Sequence, residues 1–330
     1  MKIAVVLLNL GGPDSPEAVR PFLFNLFNDP AIIRLPGPFR FLLAKLISSR
    51  REKKAQAIYA QIGGRSPILP QTQAQAEALQ RLLNESGADQ WRCFVAMRYW
   101  NPRAAQTLEE VINWSPDRVV LLPLYPQFST TTTASSLREW RSLAAAGGLR
   151  APATAILSWP AQAGWVEAMA EATRQAIVEV GLEVGGKPMV LFSAHGLPQK
   201  IVDAGDPYPR QVERSVAAIR ARLGDLPFDW RTCYQSRVGP LQWIGPATDD
   251  CIAEAAAAYR AIVVVPVAFV SEHSETLVEL DIEYRHLAES KGAARYLRVK
   301  TVQDDPVFIA ALASLARQAA TADSETVEGD

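Results

Sequence analysis

The chain has only three histidines, His195, His273 and His286, and two of them stand where apolar, β-branched runs stop. His195 ends the run Val190-Leu191-Phe192-Ser193-Ala194 and is followed by a Gly196-Leu197-Pro198 turn. A histidine at the carboxyl end of a buried strand sits where open α/β sheets bind ligands. Imidazole, with an ordinary pKa of about 6.5, can accept a proton or ligate a metal near neutral pH. His273 follows the run Val263-Val264-Val265-Pro266 and precedes Glu275, Glu279 and Glu283, spaced four apart. On an α-helix that spacing puts three carboxylates on one face. Neither Glu275 nor Glu279 has a Lys or Arg three or four positions away to offset it. Stacked like charges cost roughly a few tenths of a kcal/mol per pair, which suits a stripe that handles a cation or protons. A solvated acidic face is the plainer alternative.

Aromatic residues gather at other strand ends, in Met97-Arg98-Tyr99-Trp100-Asn101-Pro102, in Pro123-Leu124-Tyr125-Pro126-Gln127-Phe128-Ser129 and in Tyr234 to Trp243. Singly these are ordinary core residues. Together at one end of a sheet they would wall a flat ligand, with Arg98 or Arg237 meeting its carboxylates. The run Ser129 to Thr133 reads more simply as a helix cap than as an anion site. Leu10-Gly11-Gly12-Pro13 has neither the dinucleotide nor the P-loop glycine spacing.

These residues need a scaffold, and the hydrophobic pattern supplies one. Strand-like runs at Ile3 to Asn9, Arg92 to Ala96, Arg118 to Leu122, Met189 to Ser193, Arg231 to Cys233 and Ala261 to Pro266 alternate with helical stretches. The helical stretches are Gln71 to Asn84, Ala104 to Asn113, Thr133 to Ala145, Gly164 to Val180, Pro209 to Leu223, Thr248 to Tyr259 and Ser274 to His286. Such alternation predicts an α/β protein with parallel sheets flanked by helices. A Gly- and Pro-rich break at 146–152 divides it into two Rossmann-like domains, 1–150 and 151–320, and the polar tail 321–330 is expected to fray. Residues 34–47 are apolar but bracketed by Pro, Gly and basic residues, as expected for an exposed lip facing an apolar ligand or a membrane; a packed core helix fits as well.

Composition narrows the classes. With 34 basic and 35 acidic residues the net charge of -1 leaves no electrostatic footprint for nucleic acid. Cys93, Cys233 and Cys251 are far apart with no C-x-x-C spacing, so they read as reduced, packed thiols of a reducing compartment, and a four-thiolate zinc or iron–sulfur site is excluded. Met1 to Leu8 reads as a buried first strand rather than an export signal, and no apolar run approaches the roughly 20 residues that cross a bilayer. A cytoplasmic protein is expected, one that at most rests on the inner face of the membrane.

Five motifs, in order, resemble ferrochelatases: Leu8-Asn9-Leu10-Gly11-Gly12-Pro13, Tyr59 to Ile68, Phe192 to Pro198, Gln235-Ser236-Arg237-Val238-Gly239-Pro240 and His273 to Asp281. The resemblance covers nearly the whole chain. It implies a porphyrin cleft between the two domains, insertion of Fe²⁺ into the macrocycle, and His195 and Glu275 as catalytic and metal-binding residues facing each other across the ring. It further implies that His273 and Glu279 stand near the Glu275 carboxylate, the latter along a polar path, and the four-residue spacing adds Glu283 to this proton path or secondary metal site. Leu10, Arg98, Tyr99, Trp243 and Phe269 match residues lining the pocket. The cysteine set of the members that carry a [2Fe–2S] cluster is missing, so neither a cluster nor another tightly bound cofactor is expected. The Asn-Leu-Gly-Gly-Pro loop is similar to enzymes that use protoporphyrin IX rather than coproporphyrin III. Another tetrapyrrole chelatase and a haem carrier without turnover are the rival readings; a solute receptor is a weaker third.

Overall fold

In a computed structural model, described for every residue except Ser86, Arg260 and Asp330, the chain forms two compact units, Met1–Trp159 with Ile309–Gly329, and Pro160–Phe308. The first unit carries β1 (Lys2–Asn9), α1 (Val19–Phe27), α2 (Gly37–Ala60), α3 (Ile68–Asn84), β2 (Gln90–Met97), α4 (Ala104–Trp114), β3 (Arg118–Pro123), α5 (Thr133–Gly147) and β4 (Ala153–Ile156). The second carries α6 (Ala163–Val184), β5 (Met189–His195), α7 (Gln199–Asp203), α8 (Tyr208–Leu223), β6 (Asp229–Gln235), α9 (Thr248–Ala258), β7 (Ala261–Pro266), a π-helix (Glu275–Glu283), α10 (Tyr284–Ser290) and β8 (Arg295–Arg298). Helix α11 (Pro306–Thr321) begins in the second unit and runs into the first, where β9 (Thr326–Val327) follows.

Both sheets are parallel, in the orders β2-β1-β3-β4-β9 and β6-β5-β7-β8. Strands covered by helices on both faces need no polar alternation, and β7 is buried at every position from Ala261 to Pro266. The chain leaves β5 toward one edge of its sheet and β7 toward the other, so the crevice at their carboxyl ends is a topological switch point, the place where such sheets bind ligands.

The units differ from the expected domains in two respects. Their break falls at Trp159/Pro160 rather than at 150, because β4 pairs with β3 and so belongs to the first sheet. The tail, expected to fray, adds β9 beside β4, with Ala155 and Leu157 donating backbone hydrogen bonds to Glu325 and Val327. Its last residue, Asp330, lies outside the described residues.

Segment 34–47 enters α2, where Phe39, Leu42 and Leu46 are 66%, 64% and 46% exposed while Ala44 packs inward. The exposed lip is the reading that holds, and a core helix is not.

An ionic cluster ties together the loops of the first unit. The Asp29 carboxylate accepts hydrogen bonds from Arg98 (2.8 Å), Tyr99 Oη (2.8 Å), Ser135 Oγ (2.6 Å) and the Ala31 backbone N–H (2.8 Å). Burial opposes its charge, but these donors outweigh it and hold the carboxyl below its ordinary value. A depressed carboxyl contributes stability above its unfolded pKa of about 3.9 and loses it as pH falls through the folded value. Asp29→Asn is therefore expected to lower the urea-unfolding free energy at pH 7 by about 2 kcal/mol, with the difference from the parent shrinking below pH 4.

Candidate functional site

The strands β5 and β7 are hydrogen-bonded neighbours, with Ser193 opposite Pro266. Neighbouring strands lie about 4.8 Å apart, so side chains leaving their ends converge. His195 Nε2 lies 3.6 Å from Glu275 Oε1, and His273 Nε2 lies 3.5 Å from Glu275 Oε2. This corrects the expected placement of His195 and Glu275 on opposite faces of a macrocycle. A flat ring needs about 3.5 Å of contact distance on each side, roughly twice the separation found. The two side chains instead address one point from the same side.

Local hydrogen bonds fix each of them. His195 Nδ1 is 2.5 Å from the Gly196 carbonyl, which can only accept, so Nδ1 carries a proton and Nε2 is the nitrogen turned toward Glu275. Position 196 must be glycine for a packing reason: a Cβ there would lie 2.9 Å from the Gln235 carbonyl and 3.2 Å from the Trp243 ring. That ring stands 6.4 Å from the imidazole of His195, centroid to centroid, and Phe269 stands 4.7 Å from His273. Trp243 and Phe269 thus flank the two histidines.

The helix carrying Glu275 is a π-helix, with Tyr284 N–H reaching back to the Glu279 carbonyl. The α-helix expected over this stretch therefore begins only at Tyr284, and the stripe is recast. Glu279 accepts from the Ser236 backbone N–H (2.8 Å), Ser236 Oγ (2.5 Å), Tyr284 Oη (3.0 Å) and Gln235 Nε2 (3.4 Å). Gln235 in turn accepts from Ser193 Oγ on β5 at 2.9 Å. Glu283 is exposed and is not among these partners.

The two inward carboxylates are pushed in opposite directions. Burial disfavours charge on Glu275, but His195 and His273 outweigh it and hold the carboxyl down to about 2. Burial and then the charge of Glu275 raise Glu279, against the hydrogen bonds from Ser236 and Tyr284. Carboxylates separated in this way divide between a permanent anion and a proton carrier. A polar cavity of about 290 Å³, lined by Tyr234, Ser236, Arg237, Asp249, Glu279 and Tyr284, adjoins the second.

A third set of residues holds the segment from outside. Arg298 on β8 is 4% exposed and donates to both Glu272 oxygens at 2.9 and 3.1 Å and to Asp281 on the π-helix at 3.2 Å. Thr301 N–H completes Glu272 at 3.0 Å. Ser236, Tyr284, Glu272 and Arg298 were not singled out by their spacing, although Ser236 lies within one of the five motifs. Its φ of +66°, unusual for a serine, points the N–H and hydroxyl to one acceptor.

Three of the expected site residues, Leu10, Arg98 and Tyr99, belong to the first unit. All three guanidinium nitrogens of Arg98 are engaged within the first unit, by Asp29, Ser135 and Glu139, and Tyr99 is 1% exposed with its hydroxyl on Asp29. Both serve the ionic cluster there, which overrides the expectation that Arg98 awaits a ligand's carboxylate. Arg237 is bidentate to Asp249, at 2.8 Å to each oxygen. Leu10 is partly buried against the cluster of Val19, Phe22 and Tyr99. No group of three or more His, Cys, Asp or Glu side chains among the described residues is arranged to hold a metal ion, and this includes the expected secondary set of His273, Glu279 and Glu283. Likewise, no helix among the described residues is long and apolar enough to cross a membrane.

Comparison with known proteins gives a consistent result. Residues 2–320 match the family model described as Ferrochelatase. The ferrochelatase of Caulobacter vibrioides is 52% identical, covering 96% of this chain and 90% of that protein, and that of Phenylobacterium zucineum is 54% identical over 96% and 91%. Among solved structures, SirB from Bacillus subtilis with Fe³⁺ superposes with a TM-score of 0.54 over 97% of this chain and 96% of that one, at 14% identity, a likeness of fold alone.

Proposed function

Since the chain belongs to the ferrochelatase family, a family of metal chelatases, we propose that it inserts Fe²⁺ into protoporphyrin IX, releasing two protons to give protohaem, the final step of haem formation. The observation that carries this reading is the 3.6 Å separation of His195 Nε2 and Glu275 Oε1. Two donors each about 2.1 Å from one ion stand roughly 3 to 4 Å apart. An imidazole nitrogen and a carboxylate oxygen are competent ligands for Fe²⁺, and both approach from one side, leaving the opposite side of the ion to the pyrrole nitrogens.

The proton traffic follows from the same geometry. Two pyrrole N–H protons must leave as the metal enters. Once Fe²⁺ has passed to the macrocycle, Nε2 of a neutral His195 can accept one, since Nδ1 holds the imidazole's own proton on the Gly196 carbonyl. Glu275, kept anionic, steadies the metal and the imidazolium so formed. Glu279, whose affinity for protons is raised, takes the charge onward to the polar cavity beside Ser236 and Tyr284. His273 orients Glu275 through its Oε2 contact. Cys93, Cys233 and Cys251 have no part in this scheme, which uses no iron–sulfur cluster. The porphyrin is decided by absorbance: purified protein with Fe²⁺ or Zn²⁺ is expected to metallate protoporphyrin IX faster than coproporphyrin III or sirohydrochlorin. Binding of finished haem with no metal insertion would replace the enzyme reading by a carrier.

We further propose that the protein works in the cytoplasm and rests on the membrane through α2. Phe39, Phe41, Leu42 and Leu46 are exposed there, and Arg34, Lys45, Arg50, Arg51, Lys53 and Lys54 are exposed around them. Apolar side chains that enter a bilayer surface contribute about 1.5 to 3 kcal/mol each, and basic residues add attraction to anionic lipids. In vesicle sedimentation, the double variant Phe39→Glu, Leu42→Glu is expected to lose at least about tenfold in affinity for vesicles containing anionic lipid.

A further inference from the structure

Apart from the site, the second unit holds two cysteines side by side. Cys233 on β6 and Cys251 on α9 belong to one core cluster and are 0% and 2% exposed, near enough for each to shift the other's thiol, and the Cys233 thiol donates to the Phe192 carbonyl at 3.7 Å. Cys251 also lines a cavity of about 170 Å³ together with Arg231, Glu254, Ala255 and Tyr259, and Arg231 Nη1 lies 3.8 Å from its sulfur. Cys93, in the first unit, has its thiol pushed up by burial.

From this arrangement we propose that Cys251 and Cys233 form an oxidisable dithiol, in which Cys251 is the thiol attacked by peroxide entering the Arg231-lined cavity and Cys233 closes the product into an intramolecular disulfide. The neighbouring Cys233, followed by Arg231, lowers the Cys251 thiol against its burial, whereas burial raises Cys233. The roles are therefore unequal, since the thiolate is the reacting form and low-pKa thiols next to cations form it first. In the first step the Cys251 thiolate attacks one oxygen of hydrogen peroxide and the O–O bond breaks. Hydroxide leaves, takes a proton and becomes water, and Cys251 is left as a sulfenic acid. In the second step Cys233, deprotonated, attacks that sulfur and the S–OH bond breaks, releasing a second water. Two thiols have lost two electrons and one peroxide has gained them.

Mass spectrometry after mild peroxide treatment tests the assignment on the full chain. Alkylation under denaturing conditions is expected to mark Cys93 alone, with the peptides bearing Cys233 and Cys251 recovered joined, and dithiothreitol is expected to restore labelling of all three. In Cys233→Ser, dimedone is expected to trap the sulfenic acid on Cys251. Three alkylated cysteines after peroxide would overturn the proposal, as would a disulfide that includes Cys93 or joins two chains. If the variant fails to fold, the mapping on the parent chain decides by itself.

Discussion

His195→Ala is expected to lower the rate of porphyrin metallation at least about a hundredfold while leaving the urea midpoint nearly unchanged. A positioned general base contributes about 10² to 10⁴ in rate, and His195 is the group proposed to take a pyrrole proton. The fold is expected to survive because the side chain is 37% exposed and closes no core. Truncating it removes a contact with Glu275 and a tilted contact with Trp243, changes of the size seen at surfaces, within about 0.5 kcal/mol. Turnover with Zn²⁺ followed by absorbance, beside a denaturant curve, checks both halves. A variant that retained full activity would remove His195 from the reaction.

Arg298→Ala should produce the largest loss of stability, about 3 to 5 kcal/mol, because it strands the Glu272 carboxylate, 5% exposed, without its cation. Activity should fall with it. Glu272 immediately precedes His273 and Asp281 lies on the π-helix, so one guanidinium holds both the residue that orients Glu275 and the helix that carries it. Lysine cannot reproduce a guanidinium that meets Glu272 through Nη1 and Asp281 through Nη2, so Arg298→Lys should recover only part of the loss. Removing both charges with Glu272→Gln and Arg298→Met should cost less than Arg298→Ala alone, since no unpaired ion is left in the core. Calorimetry on the three variants distinguishes a stranded charge from simple loss of packing.

How far the sequence carries is seen residue by residue. Ala261 to Pro266 was legible to the residue, because a strand buried on both faces writes an unbroken β-branched run. Strand β8, by contrast, reads Arg-Tyr-Leu-Arg and hides its burial behind two arginines, one of which is paired inside the protein. Strand β4 is short and sits next to the Gly- and Pro-rich break, which masks it. Helices α1 and α11 were also missed. The types of the site residues could be read, but their arrangement could not. Spacing along the chain placed His195 and Glu275 at two strand ends without saying that those strands are neighbours, and that adjacency brings the two side chains to 3.6 Å. The i, i+4, i+8 pattern assumed a 3.6-residue turn, whereas the segment is a π-helix and Glu283 on it is exposed.

The return of residues 309–329 to the first unit sets an order on synthesis. The second unit is a single continuous stretch and can complete its sheet while later residues are still being made. The first unit cannot, because β9 pairs with β4 across some 170 positions of chain, as in the hydrogen bond from Thr154 to Ser324. On the ribosome the half that emerges first is therefore the half that finishes last, and its open sheet edge beside β4 stays a template for wrong pairing until the tail is released.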